Sequence, residues 1–401
     1  MPDPLVVVGA SLAGLRAVEA ARRAGFDGPL VLVGAEPHLP YDRPPLSKAW
    51  LAAGPAPEVP TYRPRADLDE LGVELRLGTP ASGLDVDARE VLLDGERLRY
   101  GALVVATGAA ARTLPGEQPD GVHVLRTVDD ARDVRAGLER GARTVVVGAG
   151  FIGSEVASAA RARELPVTVV EAAPAPLVRA VGPTAAPLLT ALHGRAGTDL
   201  RCGAGVAGFE QHGGRVTGVR LDDGGVLPAD LVVVGVGAAP CTGWLDGSGL
   251  AVDDGVVCDG ALRAAPGVFV AGDVARVRDG DRDLRVEHWT SAAEQGALAG
   301  ANAVASTAGE PLRTASPVPY FWSDVYGSRV QLVGRPTDDT ELLGAEDGPW
   351  LVLYRDGDRL AGALGLDLPG RIMKFRALVA RGAGIDDAHE LVRAAPLPVA
   401  S

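Results

Sequence analysis

Two segments of this chain repeat one design. VVVGASLAGLRAVEA (residues 6–20) and VVVGAGFIGSEVASAA (residues 145–160) each run from a β-branched stretch through a glycine-rich turn into an alanine-rich helical pattern. Such a turn needs small residues so that backbone N–H groups can approach a pyrophosphate, and the helix N-terminus that follows presents partial positive charge to it. The pattern predicts two βαβ units and two dinucleotide sites.

The first unit closes with VLVGAE (residues 31–36) and leads into a proline-rich loop, LPYDRPPLSK (39–48). The second begins at Val145 and closes with VTVVEA (167–172), before the first domain is complete. LVVVGVGAAP (231–240) reads as the strand ending the inserted domain, and GVFVAGDVA (267–275) as a strand returning to the first. From about Pro317 the segments become aromatic and alternating, which predicts an antiparallel sheet. The expected division is a discontinuous first domain (1–112 and 246–322), a nested one (113–245) and a C-terminal α+β domain (323–401).

With 401 residues, 47% of them hydrophobic, the chain can bury two or three sizeable cores. No apolar run approaches the roughly 20 residues that span a bilayer, and the start MPDPLVVVG lacks the basic flank of a signal peptide, so the expected location is cytoplasmic. A formal charge of −13 argues against general affinity for nucleic acid or anionic lipid. The three cysteines, Cys202, Cys241 and Cys258, form no CxxC pair. They offer neither a dithiol centre nor a metal site and are read as packing residues.

The first loop is Gly9-Ala10-Ser11-Leu12-Ala13-Gly14, with serine where the usual fingerprint has its second glycine; Glu36, 22 positions beyond Gly14, stands where an acid bonds ribose hydroxyls. The second loop, Gly148-Ala149-Gly150-Phe151-Ile152-Gly153, matches the fingerprint throughout, and Glu171 follows 18 positions later. A carboxylate there accepts ribose hydroxyls and repels a 2′-phosphate, which predicts NADH rather than NADPH. Two such sites in series suit a chain that passes a hydride between a nicotinamide and a flavin dinucleotide.

PYDRPPLSK, VVATGA, LRTVDDA, GAGFIGSEVA, VFVAGDVA and YFWSD occur in this order. The series resembles the NADH-dependent, FAD-containing ferredoxin and rubredoxin reductases, the putidaredoxin reductase-like family, over nearly the whole chain. The resemblance implies a glutathione-reductase-like α/β fold: two Rossmann-type domains, for FAD and NAD, and a C-terminal domain that helps receive an iron–sulfur protein. It places Arg43, Lys48, Thr107, Gly108, Arg126 and Trp289 against the flavin, Asp273 on the ribityl hydroxyls, and Ala81 and Gly237 among the cofactor contacts. Glu155, expected in the first turn of the NAD-domain helix, would face Lys48 across the flavin and help seat the nicotinamide, and Trp322 would lie near the flavin's exposed edge.

The implied activity is NADH:ferredoxin oxidoreduction, feeding a haem monooxygenase or Rieske-type dioxygenase through a small acidic ferredoxin. A rubredoxin acceptor, or a redox-gated binding protein without a fast acceptor, are the alternatives. Dithiol reductases and cysteine-dependent oxidases of the same fold are disfavoured, since Pro44, Pro45 and Leu46 occupy the flavin loop where a redox cysteine would stand. Two positions depart from the family pattern. Ala35 stands where an acid is common, and PGRIMKFRALVARG (369–382) differs while keeping Arg371, Lys374, Arg376 and Arg381 close together; Arg43 with Arg371, Lys374 and Arg376 forms a candidate docking surface for an acidic partner.

Overall fold

A computed structural model describes residues 3–280, 282–314 and 317–397; the remaining positions of the expected domains, including the chain ends, lie outside the described residues. The chain forms two compact units. One comprises Met1–Asp42, Val59–Ala110 and Ala238–Pro317, the other Arg43–Glu58, Ala111–Gly237 and Val318–Ser401. Among the described residues no helix is long and apolar enough to cross a membrane.

In the first unit the β-branched runs assemble into one six-stranded sheet, ordered Arg263–Ala265, Val268–Val270, Ala102–Val105, Leu5–Val8, Leu30–Gly34, Val73–Leu77. All of these strands are parallel to their neighbours except Arg263–Ala265. Leu5–Val8, Leu30–Gly34 and Ala102–Val105 are buried at every position, as unbroken apolar runs must be when both sheet faces are covered. Helix Leu12–Arg23 follows the first glycine turn and packs against helix Trp289–Ala308. Their backbones nearly touch. A Cβ on Gly296 would lie 2.2 Å from the Ala13 carbonyl oxygen, and one on Gly300 2.1 Å from that of Ala17.

The second unit repeats the plan with a parallel sheet ordered Asp199–Cys202, Val167–Glu171, Thr144–Val147, Leu231–Val234, Val122–His123. Helix Val128–Glu139 starts in a capping box of Thr127 and Asp130. Cys202 sits at the end of the edge strand and is exposed, so it is not a packing residue as expected; Cys258 is buried and Cys241 half-buried. The predicted antiparallel sheet is present, ordered Tyr320–Val325, Ser328–Gly334, Arg359–Leu366, Trp350–Asp356, Thr340–Gly344. Trp350, Val352 and Tyr354 point to one face, where they meet Leu188, Leu189 and Leu192 of helix Val178–Arg195. Leu351 and Leu353 point to the other, onto Ile372 and Phe375 of helix Ile372–Ala380.

A buried polar brace ties this sheet to helix Phe151–Ala162 of the same unit. His193 Nε2 lies 3.2 Å from Ser154 Oγ, and its Nδ1 lies 2.8 Å from the Tyr326 hydroxyl, which accepts from Thr198 Oγ1 at 3.0 Å. Burial pushes the His193 imidazole down to about 4 from its ordinary 6.5.

Gly300→Ala should destabilise the protein by about 1–3 kcal/mol, because the added methyl overpacks a backbone contact that cannot open without parting the two helices. Urea unfolding measures it, and an unchanged midpoint would contradict the crossing. His193 generates an acid prediction. Above pH ~6.5 folded and unfolded chains both hold it neutral; as pH falls towards 4 only the unfolded chain takes the proton, so stability is lost over that window. The drop in unfolding free energy between pH 7 and 5 should be about 2 kcal/mol smaller in His193→Gln than in wild type. Equal drops would place the ring in a solvated site.

Candidate functional site

In the first unit's glycine turn, packing dictates both terminal glycines. A Cβ on Gly9, whose φ is +121°, would lie 2.0 Å from the Ala106 carbonyl oxygen, and one on Gly14 1.9 Å from that of Gly9. Ser11 holds the N-cap position but its side chain does not cap the helix; Leu12 and Ala13 form the buried first turn. Glu36, past the end of the second strand, accepts the Tyr41 hydroxyl at 2.5 Å. Thr107 donates to the Cys241 carbonyl at 2.9 Å, and Gly108 adopts φ +67° while accepting the Cys241 N–H. Ala81 opens the strand Ala81–Asp85 and is half-buried. Asp273 lies in the short helical turn Gly272–Val274, directly after the returning strand. The Trp289 indole N–H donates to Asp42 Oδ1 at 2.8 Å and to the Tyr62 oxygen at 3.0 Å, which fixes the ring. Burial, then the Asp42 carboxylate, pushes the Tyr62 hydroxyl above its ordinary range.

The second unit's turn separates two reasons for glycine. A Cβ on Gly148 would lie 2.4 Å from the Gly235 carbonyl oxygen and one on Gly153 2.0 Å from that of Gly148, so packing demands both. At Gly150 the nearest protein atom would be 3.9 Å away. The fold tolerates a side chain there. The bare backbone instead forms a small cradle at the N-cap of helix Phe151–Ala162, the place where a dinucleotide pyrophosphate meets N–H groups. The residues therefore fit a dinucleotide.

Ile152 stands beside this cradle, 42% exposed despite its apolar chain. Phe151 packs on Phe321 with ring centroids 4.4 Å apart. Glu171 folds its carboxylate against the turn, accepting the Ala149 N–H at 2.9 Å and the Ala173 N–H at 2.8 Å. Gly237 adopts φ +102° after the strand Leu231–Val234.

Glu155 is a buried carboxylate of this unit with three side-chain partners. Because the helix starts at Phe151, Glu155 is its fifth residue and lies past the first turn expected for it, so the macrodipole does not account for it. It is 3% exposed. Lys48 Nζ lies 2.8 Å from its Oε1 in a direct ion pair, the Ser323 hydroxyl donates to the same oxygen at 2.6 Å, and the Ser47 hydroxyl donates to Oε2. The loop bearing Lys48 is tied down by Arg135, which donates to the carbonyls of Trp50 at 2.6 Å and Ala52 at 3.0 Å, and by Arg163, which donates to that of Leu51 at 2.9 Å. Arg43 donates to the Arg126 carbonyl at 2.7 Å. Trp322 stacks on Tyr320 at 5.8 Å.

The resemblance sets Glu155 opposite Lys48 across the flavin, whereas the two side chains touch in a direct ion pair, and it does not bring in Ser47, Ser323 or Arg135. The two serines sit inside the PPLSK and YFWSD motifs, which are the sequence signal for them. Part of the basic cluster near the C-terminus is engaged within the fold. Arg371 donates to the carbonyls of Ala395 and Pro396 at 2.8 Å each, Arg376 donates to that of Val318 at 3.0 Å, and Arg381 lies 3.6 Å from Asp387. These side chains hold the chain end and a neighbouring segment, whereas Lys374 and Met373 are exposed.

Comparison with known proteins gives the family. Residues 3–296 match the pyridine nucleotide-disulphide oxidoreductase family and residues 320–397 the reductase C-terminal family. Rhodocoxin reductase of Rhodococcus erythropolis is 36% identical over 94% of this chain and 89% of its own length. The ferredoxin–NAD(+) reductase component of the anthranilate 1,2-dioxygenase system of Burkholderia cepacia is 37% identical over 95% of each. Among solved structures, the covalent putidaredoxin reductase–putidaredoxin complex aligns with a TM-score of 0.90 at 32% identity, covering 99% of both chains. With its two glycine turns in place and likeness running along nearly its full length, the chain belongs to the pyridine nucleotide-disulphide oxidoreductase family.

Proposed function

We propose that this protein is an FAD-dependent NADH:ferredoxin oxidoreductase that passes electrons to a small acidic iron–sulfur ferredoxin supplying a monooxygenase or dioxygenase. The observation that carries the reading is the buried Glu155–Lys48 pair on the helix that opens at the bare Gly150 cradle. The names of the two relatives, one a reductase and one the ferredoxin–NAD(+) reductase component of a dioxygenase system, support the same activity.

In this reading residues 1–112 and 246–322 form the FAD domain, 113–245 the NAD domain and 323–401 the interface domain. Gly9, Ser11, Leu12, Ala13 and Gly14 receive the FAD pyrophosphate and Glu36 its ribose. Asp273 takes the ribityl hydroxyls, and Arg43, Ala81, Thr107, Gly108, Arg126 and Trp289 complete the flavin contacts. Gly148, Gly150, Phe151, Ile152 and Gly153 receive NADH, with Glu171 at its ribose and Gly237 nearby. Bound flavin supplies the chemistry that no side chain here offers, taking two electrons together and releasing them singly. Lys48 provides positive charge for the reduced state, Glu155 holds the Lys48 ammonium in place, and Trp322 lies on the exit side. A cytoplasmic location completes the reading and is supported by three free thiols.

NADH-driven reduction of cytochrome c that requires added ferredoxin tests the activity; a persistent NADH complex without turnover would favour a binding protein instead. Glu171→Arg should lower kcat/KM for NADH by about 10–100-fold and raise that for NADPH, since it removes a ribose acceptor and adds a phosphate partner. A wild type that already prefers NADPH would overturn the role of Glu171.

A further inference from the structure

We infer that Ser323, acting with Ser47, is a positioning residue for Glu155, through which the edge strand of the C-terminal sheet controls the nicotinamide side of the reaction. The inference rests on the reading of Glu155 given above. A buried ion pair holds its geometry only when the lone pairs left over find donors. Among the described residues, the side chains that bond Glu155 besides Lys48 are serines, not arginines. Its Oε1 is shared by Lys48 and Ser323 and its Oε2 is taken by Ser47, with Ser323 fully buried and Ser47 nearly so.

The placement of Ser323 follows from two periodicities. Phe151, Glu155 and Ser158 are spaced by four and three, so they share one face of helix Phe151–Ala162. Along strand Tyr320–Val325 the side chains alternate, so Phe321 and Ser323 share a face while Tyr320 and Trp322 stack on the other. The two elements meet at three points: Phe321 on Phe151, Ser323 on Glu155, and the Tyr326 N–H donating to Ser158 Oγ at 2.8 Å. One strand therefore carries Trp322 on one face and a hydroxyl that orients Glu155 on the other. Any shift of the strand against the helix moves that hydroxyl relative to the carboxylate, and Lys48 with it.

The test is anaerobic stopped-flow reduction of the FAD-loaded enzyme by NADH, with the ferredoxin omitted. Ser323→Ala should slow flavin reduction at saturating NADH about ten-fold while changing the apparent NADH dissociation constant by less than about two-fold. Ser323→Thr, which restores the hydroxyl, should regain most of the rate. In a Glu155→Ala background Ser323→Ala should add nothing, because the group it acts through is gone. Ser47→Ala should show the same signature from the other oxygen and carries the test if Ser323→Ala fails to retain flavin. A wild-type rate in Ser323→Ala, or losses that multiply in the double variant, would overturn the inference. Should Glu155→Ala itself reduce at the wild-type rate, the reading of Glu155 fails; should it slow while Ser323→Ala does not, only the positioning role fails.

Discussion

A carboxylate buried as deeply as Glu155 must be held by charge and hydrogen bonds or not be there at all. Lys48 supplies the charge and two serines supply the hydrogen bonds. The three partners come from distant places in the chain: the proline-rich loop after the first βαβ unit and the edge strand of the C-terminal sheet. To assemble them, the loop must be fastened, as Arg135 and Arg163 do through its backbone carbonyls, and the strand must run in register along the helix. Much of the second unit's architecture serves that one carboxylate.

The same economy governs the glycines. Gly9, Gly14, Gly148 and Gly153 exist because another backbone passes where a Cβ would be, and Gly296 and Gly300 allow two helices to close on each other. Gly150 differs in kind. No protein atom lies closer than 3.9 Å to where its Cβ would stand, which leaves room for the pyrophosphate proposed above.

The central strands of the two large sheets are legible because a strand buried on both faces must be a continuous apolar run, and VVV before each glycine turn is one, whereas the edge strands Val122–His123, Asp199–Cys202 and Arg263–Ala265 carry no such run. The antiparallel sheet was legible from its alternation. What was not legible depends on contacts across long sequence separations. Ser47, Glu155 and Ser323 share no local pattern, and a serine's role is invisible until its acceptor is beside it. The basic run at 371–381 looked like a free patch because charge can be counted in a sequence, whereas carbonyls at a chain end that accept from Arg371 cannot. Glu155 was placed a turn too early because the helix starts at Phe151, inside the glycine motif rather than after it. Cys202 was assigned to packing without knowing that its strand lies at a sheet edge.

In the function proposed above, one chain without a dithiol carries reducing equivalents directly from NADH to its flavin. Anaerobic titration of the FAD-loaded protein with NADH, followed by flavin absorbance, tests it most directly, with NADH deuterated at the transferred C4 position run in parallel. Full bleaching is expected at one NADH per flavin, slower with the deuterated nucleotide and unchanged after the exposed Cys202 thiol is alkylated. A flavin that stays oxidised in excess NADH, or that bleaches only with a free Cys202 thiol or a second equivalent of NADH, would contradict it.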